Sequence, residues 1–141
     1  MAEIRHKVGI AADPARVLRA LTTVAEIGDW WSENATGDAT EGGTFHFQGG
    51  SMTVTKVSAD GVLWRYSGPA RDWEGTEVSI RLKPSDGQTI VLFTHSGWRE
   101  PLEFMHHCST KWAMFLMSLK SLIETGQGQP TPRHLRISWD D

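Results

Sequence analysis

The segment LEFMHHCSTKWAMFLMSLKSLIETG, residues 102–126, decides the fold. Its apolar residues Met105, Cys108, Trp112, Phe115, Leu116, Leu119, Leu122 and Ile123 recur in steps of three and four, one stripe of a helix. Polar Ser109, Lys111, Ser118, Lys120, Ser121 and Glu124 fill much of the remaining surface. Pro101 suits a first helical turn, where its missing N–H costs nothing. Gly126 supplies the left-handed residue that ends a helix, and Pro130 and Pro132 prevent a restart. A helix of this length spans roughly 35 Å, the width of a small domain. The rest of the chain must wrap it.

Upstream, Ile4, His6, Val8 and Ile10 alternate with Arg5, Lys7 and Gly9, the pattern of a strand with one buried face. Asp13 followed by Pro14 reads as a helix start, and Val17, Leu18 and Leu21 stripe residues 14–22. A second short helix over 24–28 delivers Trp30 and Trp31, and 32–43 reads as a polar surface loop. From residue 44 the period is two. Phe45 and Phe47 alternate with polar neighbours, Gly49-Gly50 reverses the chain, and strands are expected over 52–57, 62–67, 77–83 and 89–96. Asp60-Gly61 and Asp86-Gly87 supply two of the turns. Consecutive hairpins dictate a mostly antiparallel sheet. The class is α+β, a curved antiparallel sheet around a long C-terminal helix. Residues 1–132 form one domain, and 133–141 are a tail. In that tail Leu135, Ile137 and Trp139 alternate with His134, Arg136 and Ser138, so an edge strand docked on this or another chain is expected.

Composition removes several function classes. The chain has 141 residues, with 14 basic against 17 acidic, and no Lys/Arg cluster of the kind that grips nucleic acid. Cys108 is the only cysteine, so neither a disulfide nor a CxxC zinc site is expected. His106, His107 and Cys108 are adjacent, and on a helix neighbours point about 100° apart, so no metal or other cofactor is expected. Glu3, Arg5 and Lys7 stand where a signal peptide needs an apolar core, and no run is long enough to span a membrane; a cytoplasmic protein, monomer or homodimer, is expected. Seven tryptophans are out of proportion with five Phe and one Tyr. They either fill a core or wall a pocket, since ligand pockets are mostly apolar and aromatic.

Five stretches in order, IRHKVGIAADPARVLRALTT with the following Trp30-Trp31, WEGTEVSIRLKP, TIVLFTHSGW and WAMFLMSLKSLIETGQGQP, resemble the SRPBCC superfamily, also called START-like or Bet v-like. Within it the chain resembles the group related to the C-terminal domain of the activator of the heat-shock-protein-90 ATPase. The resemblance implies a helix-grip fold and a hydrophobic cavity between sheet and helix. It carries no catalytic motif, and fold alone does not establish chemistry.

In a helix-grip, Trp31, Phe45, Phe47, Trp64, Tyr66, Trp73, Val91, Phe93, His95, Trp98, Met105, Cys108 and Trp112 are expected to line the cavity. The half of the helix near 105–112 is expected at the opening and 116–123 in solid packing. Gly97 is expected to let Trp98 bend over the mouth. His95 is the one acid–base candidate if Val91 and Phe93 point inward, although Ile90, Leu92 and Thr94 make the opposite parity equally apolar. Its alternative is a structural histidine. Three functions follow: binding of a small apolar molecule, a cyclase or hydrolase using His95, or a chaperone-associated interaction module.

Overall fold

A computed structural model of the chain describes residues 2–138. The elements are β1 (Ala2–Ile10), α1 (Pro14–Thr22), α2 (Val24–Trp30), β2 (Thr36–Gly37), β3 (Thr44–Phe47), β4 (Gly50–Ser58), β5 (Gly61–Ser67), β6 (Glu77–Ser85), β7 (Gln88–Trp98) and α3 (Phe104–Thr125). The strands form one antiparallel sheet in the order β1-β7-β6-β5-β4-β3-β2. The first and last long strands are therefore neighbours, and α3 lies in the trough of the curved sheet. This is the helix-grip that the two periodicities require: each amphipathic element has one apolar face, and only the other can cover it.

Asp13 starts α1 as read, its carboxylate accepting from the Arg16 N–H at 2.9 Å. Gly126 ends α3 with φ 88°. The other end differs from expectation. The helix begins at Phe104, and Pro101 lies outside it; the Met105 and His106 amides are instead taken by the Leu102 and Glu103 carbonyls. The polar segment 32–43 also holds an unforeseen strand, β2, which pairs with β3 through Thr36 and Gly37. Two residues give no measurable alternation, so it left no signal.

The buried faces are Ile4 and Ile10 of β1, Met52 and Val54 of β4, Val62 and Trp64 of β5, Val78, Ile80 and Leu82 of β6, and Val91 and Phe93 of β7. Against them lie Leu116, Leu119 and Leu122, in the half of α3 that packs on β1, α1 and α2. The outer edge of β1 is closed by this helix: Lys120 Nζ donates to the Gly9 carbonyl at 2.5 Å, and His6 Nε2 meets the Ser109 carbonyl at 3.1 Å. Covering an edge with a helix in this way hinders the pairing of another strand there.

The β4–β5 hairpin turns on Gly61, at φ 134°. A Cβ there would run into the Ile80 carbonyl oxygen of the neighbouring strand. Gly61→Ala is expected to cost at least about 2 kcal/mol in a denaturant-unfolding experiment. Gly87→Ala, in a turn with nothing within 4 Å of the added atom, should cost clearly less.

Candidate functional site

A cavity of about 350 Å³ opens beside the N-terminal half of α3. Its floor is three indole rings brought from different parts of the chain. Trp31, the residue that ends α2, stacks on Phe47 at 4.4 Å and 28°, and meets Trp112 at 5.1 Å. Trp73 sits on a single 3-10 turn, Arg71–Trp73, and lies nearly parallel to Trp112 at 5.9 Å and 18°. Its indole N–H points to Cys108 Sγ at 3.4 Å. Burial pushes the Cys108 thiol up to about 11, so at neutral pH it is a small apolar wall atom rather than a nucleophile.

Phe104, His107, Lys111 and Phe115 complete the helix side, and His107 stacks on Phe104 at 12°. Thr131, Pro132, His134 and Arg136 close the opposite side. This last wall is held by backbone pairing rather than by a strand. Thr131 N–H donates to the Trp31 carbonyl at 2.8 Å, Glu33 N–H donates to the Thr131 carbonyl at 3.0 Å, and Arg133 pairs with Glu33 at 2.6 Å. His134 bridges Thr131 Oγ1 and Lys111 Nζ. The described part of the tail, 133–138, is bent and irregular rather than extended, and Trp139 lies outside the described residues.

Of the thirteen expected wall residues, the cavity brings together Trp31, Phe47, Trp73, Cys108 and Trp112. Phe45, Trp64, Val91, Phe93 and His95 lie beneath them in the closed core. Tyr66 acts from behind: its hydroxyl donates to the Gly49 carbonyl at 2.6 Å and accepts from the Ala70 N–H at 3.2 Å, pinning two rim segments together. Met105 packs on the core to one side, and beside Cys108 and Trp112 the helix also brings Phe104, His107, Lys111 and Phe115 to the cavity. Trp98 is not at the mouth. Gly97, at φ 87°, reverses the alternation of β7 and turns the ring into the core, where its N–H donates to the His95 carbonyl at 3.1 Å.

His95 points inward with Val91 and Phe93, resolving the parity that the sequence left open. It is fully buried and has two partners. Trp112 Nε1–H donates to Nδ1 at 3.1 Å, which puts the proton on Nε2, and Nε2 meets Thr76 Oγ1 at 2.9 Å. The Thr76 hydroxyl in turn donates to the Trp73 carbonyl at 2.7 Å. Burial lowers the imidazole to about 3, so it is neutral at physiological pH. Trp73 and Trp98 pack on its ring at 4.6 and 4.8 Å. The histidine is a strut that fixes Trp73 and Trp112, two of the three floor rings, and it is not part of the cavity wall.

No helix among the described residues is long and apolar enough to cross a membrane. No functionally curated protein matches the chain. Among solved structures, the Aha1 dimer from Colwellia psychrerythraea is 42% identical with a TM-score of 0.81, covering 91% of this chain and all of that one. CalU16 from Micromonospora echinospora (24% identity, TM-score 0.76) covers 92% of this chain and 70% of its own. DynU16, from the dynemicin biosynthetic locus, is 21% identical with a TM-score of 0.75 and covers 89% of this chain and 48% of its own. At these identities the last two speak for the fold alone. The family model for activator of Hsp90 ATPase homolog 1-like protein matches residues 11–124. The chain belongs to the activator of Hsp90 ATPase homolog 1-like family.

Proposed function

We propose that the chain binds a small molecule with a flat apolar body in the cavity beside α3. The observation that carries this reading is the floor of Trp31, Trp73 and Trp112, held open rather than collapsed, in a volume of about 350 Å³. Ligand pockets run from roughly 300 to 1,000 Å³ and are walled by apolar and aromatic groups with a few polar ones at the mouth. A volume at the small end suits two or three rings better than a long acyl chain. Lys111, His134, Gln48 and Thr131 at the rim suit a polar end on the same molecule. The reading places the protein in the cytoplasm, as a monomer or homodimer. Catalysis by His95 finds no support in the geometry: both ring nitrogens are engaged and the ring lies behind the cavity floor.

Anilinonaphthalene sulfonate is a suitable probe. It should quench tryptophan emission of the folded protein with a dissociation constant in the micromolar range, about −8 kcal/mol. Ala70 lines the cavity and is half-buried. Ala70→Phe should fill the mouth and weaken the probe at least about tenfold. Equal quenching of both proteins would place the probe elsewhere and remove the reading.

A further inference from the structure

The outer, convex face of the sheet takes no part in the cavity, and its charge is strongly one-sided. Arg5 and Lys7 of β1, Lys56 of β4, Arg65 of β5, and Arg81 and Lys83 of β6 all stand on it, exposed. Among the described residues, the carboxylates that the strands place on the same face are Glu3 and Glu77, and they pair with Arg5 and Arg65. Lys7, Lys56, Arg81 and Lys83 have no ion-pair partner among the described residues. Six cations against two carboxylates is a reversal of the whole chain, which has 14 basic and 17 acidic residues. The rest of the molecule carries the surplus of acid.

The centre of this face is aliphatic. Lys7, Leu92 and Arg81 are cross-strand neighbours in one row, Gly9, Ile90 and Lys83 in the next. On the other side the row runs Arg5, Thr94, Ser79, Leu63, Lys56. Ile90, Leu92 and Leu63 are half-buried on a solvent-facing surface, where alternation calls for polar side chains. A groove runs over β7 between the Lys7 and Arg81 side chains, with Leu92 and Thr94 as its base.

We propose that this face docks an acidic segment of a partner protein, carboxylates on Lys7 and Arg81 and an apolar side chain on Leu92. Charge complementarity selects the partner. A second copy meeting the first through this same patch would set like charges together. Nucleic acid is the poorer fit: among the described residues no Phe, Tyr or Trp stands on the face to stack a base. The aliphatic base also has no counterpart in a phosphate backbone. This surface is independent of the cavity and of any ligand there.

The test is fluorescence anisotropy with a short labelled peptide of repeated Glu-Leu-Glu triplets, a same-length single-stranded oligonucleotide beside it, at low and physiological salt. The peptide should bind, with affinity falling as salt rises. Lys7→Glu with Arg81→Glu should weaken it at least about tenfold. Arg71→Glu, a control off the face, should change it little. Both altered side chains are exposed, and an unchanged melting temperature confirms the fold; the milder Lys7→Gln with Arg81→Gln should give an intermediate loss. Three results would overturn the proposal: no peptide binding, equal binding by the charge-reversed protein, or tighter binding of the oligonucleotide at the same residues.

Discussion

Lowering the pH from 6.5 toward 3 is expected to remove several kcal/mol of stability through His95 alone. Burial holds its folded pKa at about 3 against an ordinary 6.5. Above 6.5 neither the folded nor the unfolded chain binds the proton, and the group leaves stability unchanged. Between the two values the unfolded chain takes up a proton that the folded one refuses, so stability falls steadily as acid is added. The whole interval amounts to at most about 5 kcal/mol. Denaturant midpoints measured across this window should slope downward in acid. His95→Gln keeps an amide donor and acceptor but has no proton to gain, so the difference between the two proteins should shrink as pH falls. At neutral pH the same variant should be less stable by about 1–3 kcal/mol, since Trp112 N–H or Thr76 loses good geometry. Parallel acid curves for the two proteins would assign the loss to other groups.

Trp112→Ala is expected to be the most damaging single substitution in the cavity floor, at about 3–5 kcal/mol. The ring touches Trp31, Trp73, Phe93 and His95, and its N–H sets the tautomer of His95. Truncation would merge the space it leaves with the cavity and take away the plate on which a flat ligand would lie. Probe binding should be lost even where the variant remains folded at low temperature. Trp112→Phe separates the two roles. It keeps a six-membered ring in the site while losing the N–H and the pyrrole part of the indole, so it should cost less than the alanine, about 2–3 kcal/mol. His95 Nδ1 would then have no donor, the imidazole would protonate more readily, and the acid slope should flatten. Urea unfolding at neutral and acid pH reads both effects.

The two expectations share a cause. Aromatic rings are rigid, and a cavity among them persists only if something prevents collapse. Here the His95–Thr76–Trp73 chain on one side and Tyr66 with Gly49 and Ala70 on the other hold the rings apart. Interiors otherwise pack to crystal density. The same polar contacts that look structural are therefore what keeps the site available.

Much of the architecture was legible from residue order. Period-two alternation marked the long strands, Asp60-Gly61 and Asp86-Gly87 marked two of the hairpins, and the three-and-four spacing after Leu102 marked α3. Asp13-Pro14 and Gly126 located helix ends to the residue because cap chemistry is local. Trp31, Trp73 and Trp112 were visible as candidates because of their size, and His95 because it was polar on an apolar strand. Nothing local distinguished Trp98 from them: strict alternation places it outside, and one left-handed glycine brings it in.

The sequence by itself determined which residues alternate, where the chain turns and which helix has an apolar stripe, since these depend on neighbours a few positions away. Only the tertiary structure decided which face of β7 is buried, because Ile90 and Leu92 make its solvent side nearly as apolar as its inner side. It alone decided the cavity too. The walls come from residue 31, from 47–49, from 70–73, from the first turns of α3 and from 131–136, segments that meet only when the sheet has closed around the helix. Even the stripe quoted at the outset changed its meaning. Its spacing predicted a buried face; Cys108, Trp112 and Phe115 of that stripe border the cavity together with Phe104, His107 and Lys111 from its flank, while Met105 packs against the core. Burial is a property of what lies opposite, and that is not written in any one segment.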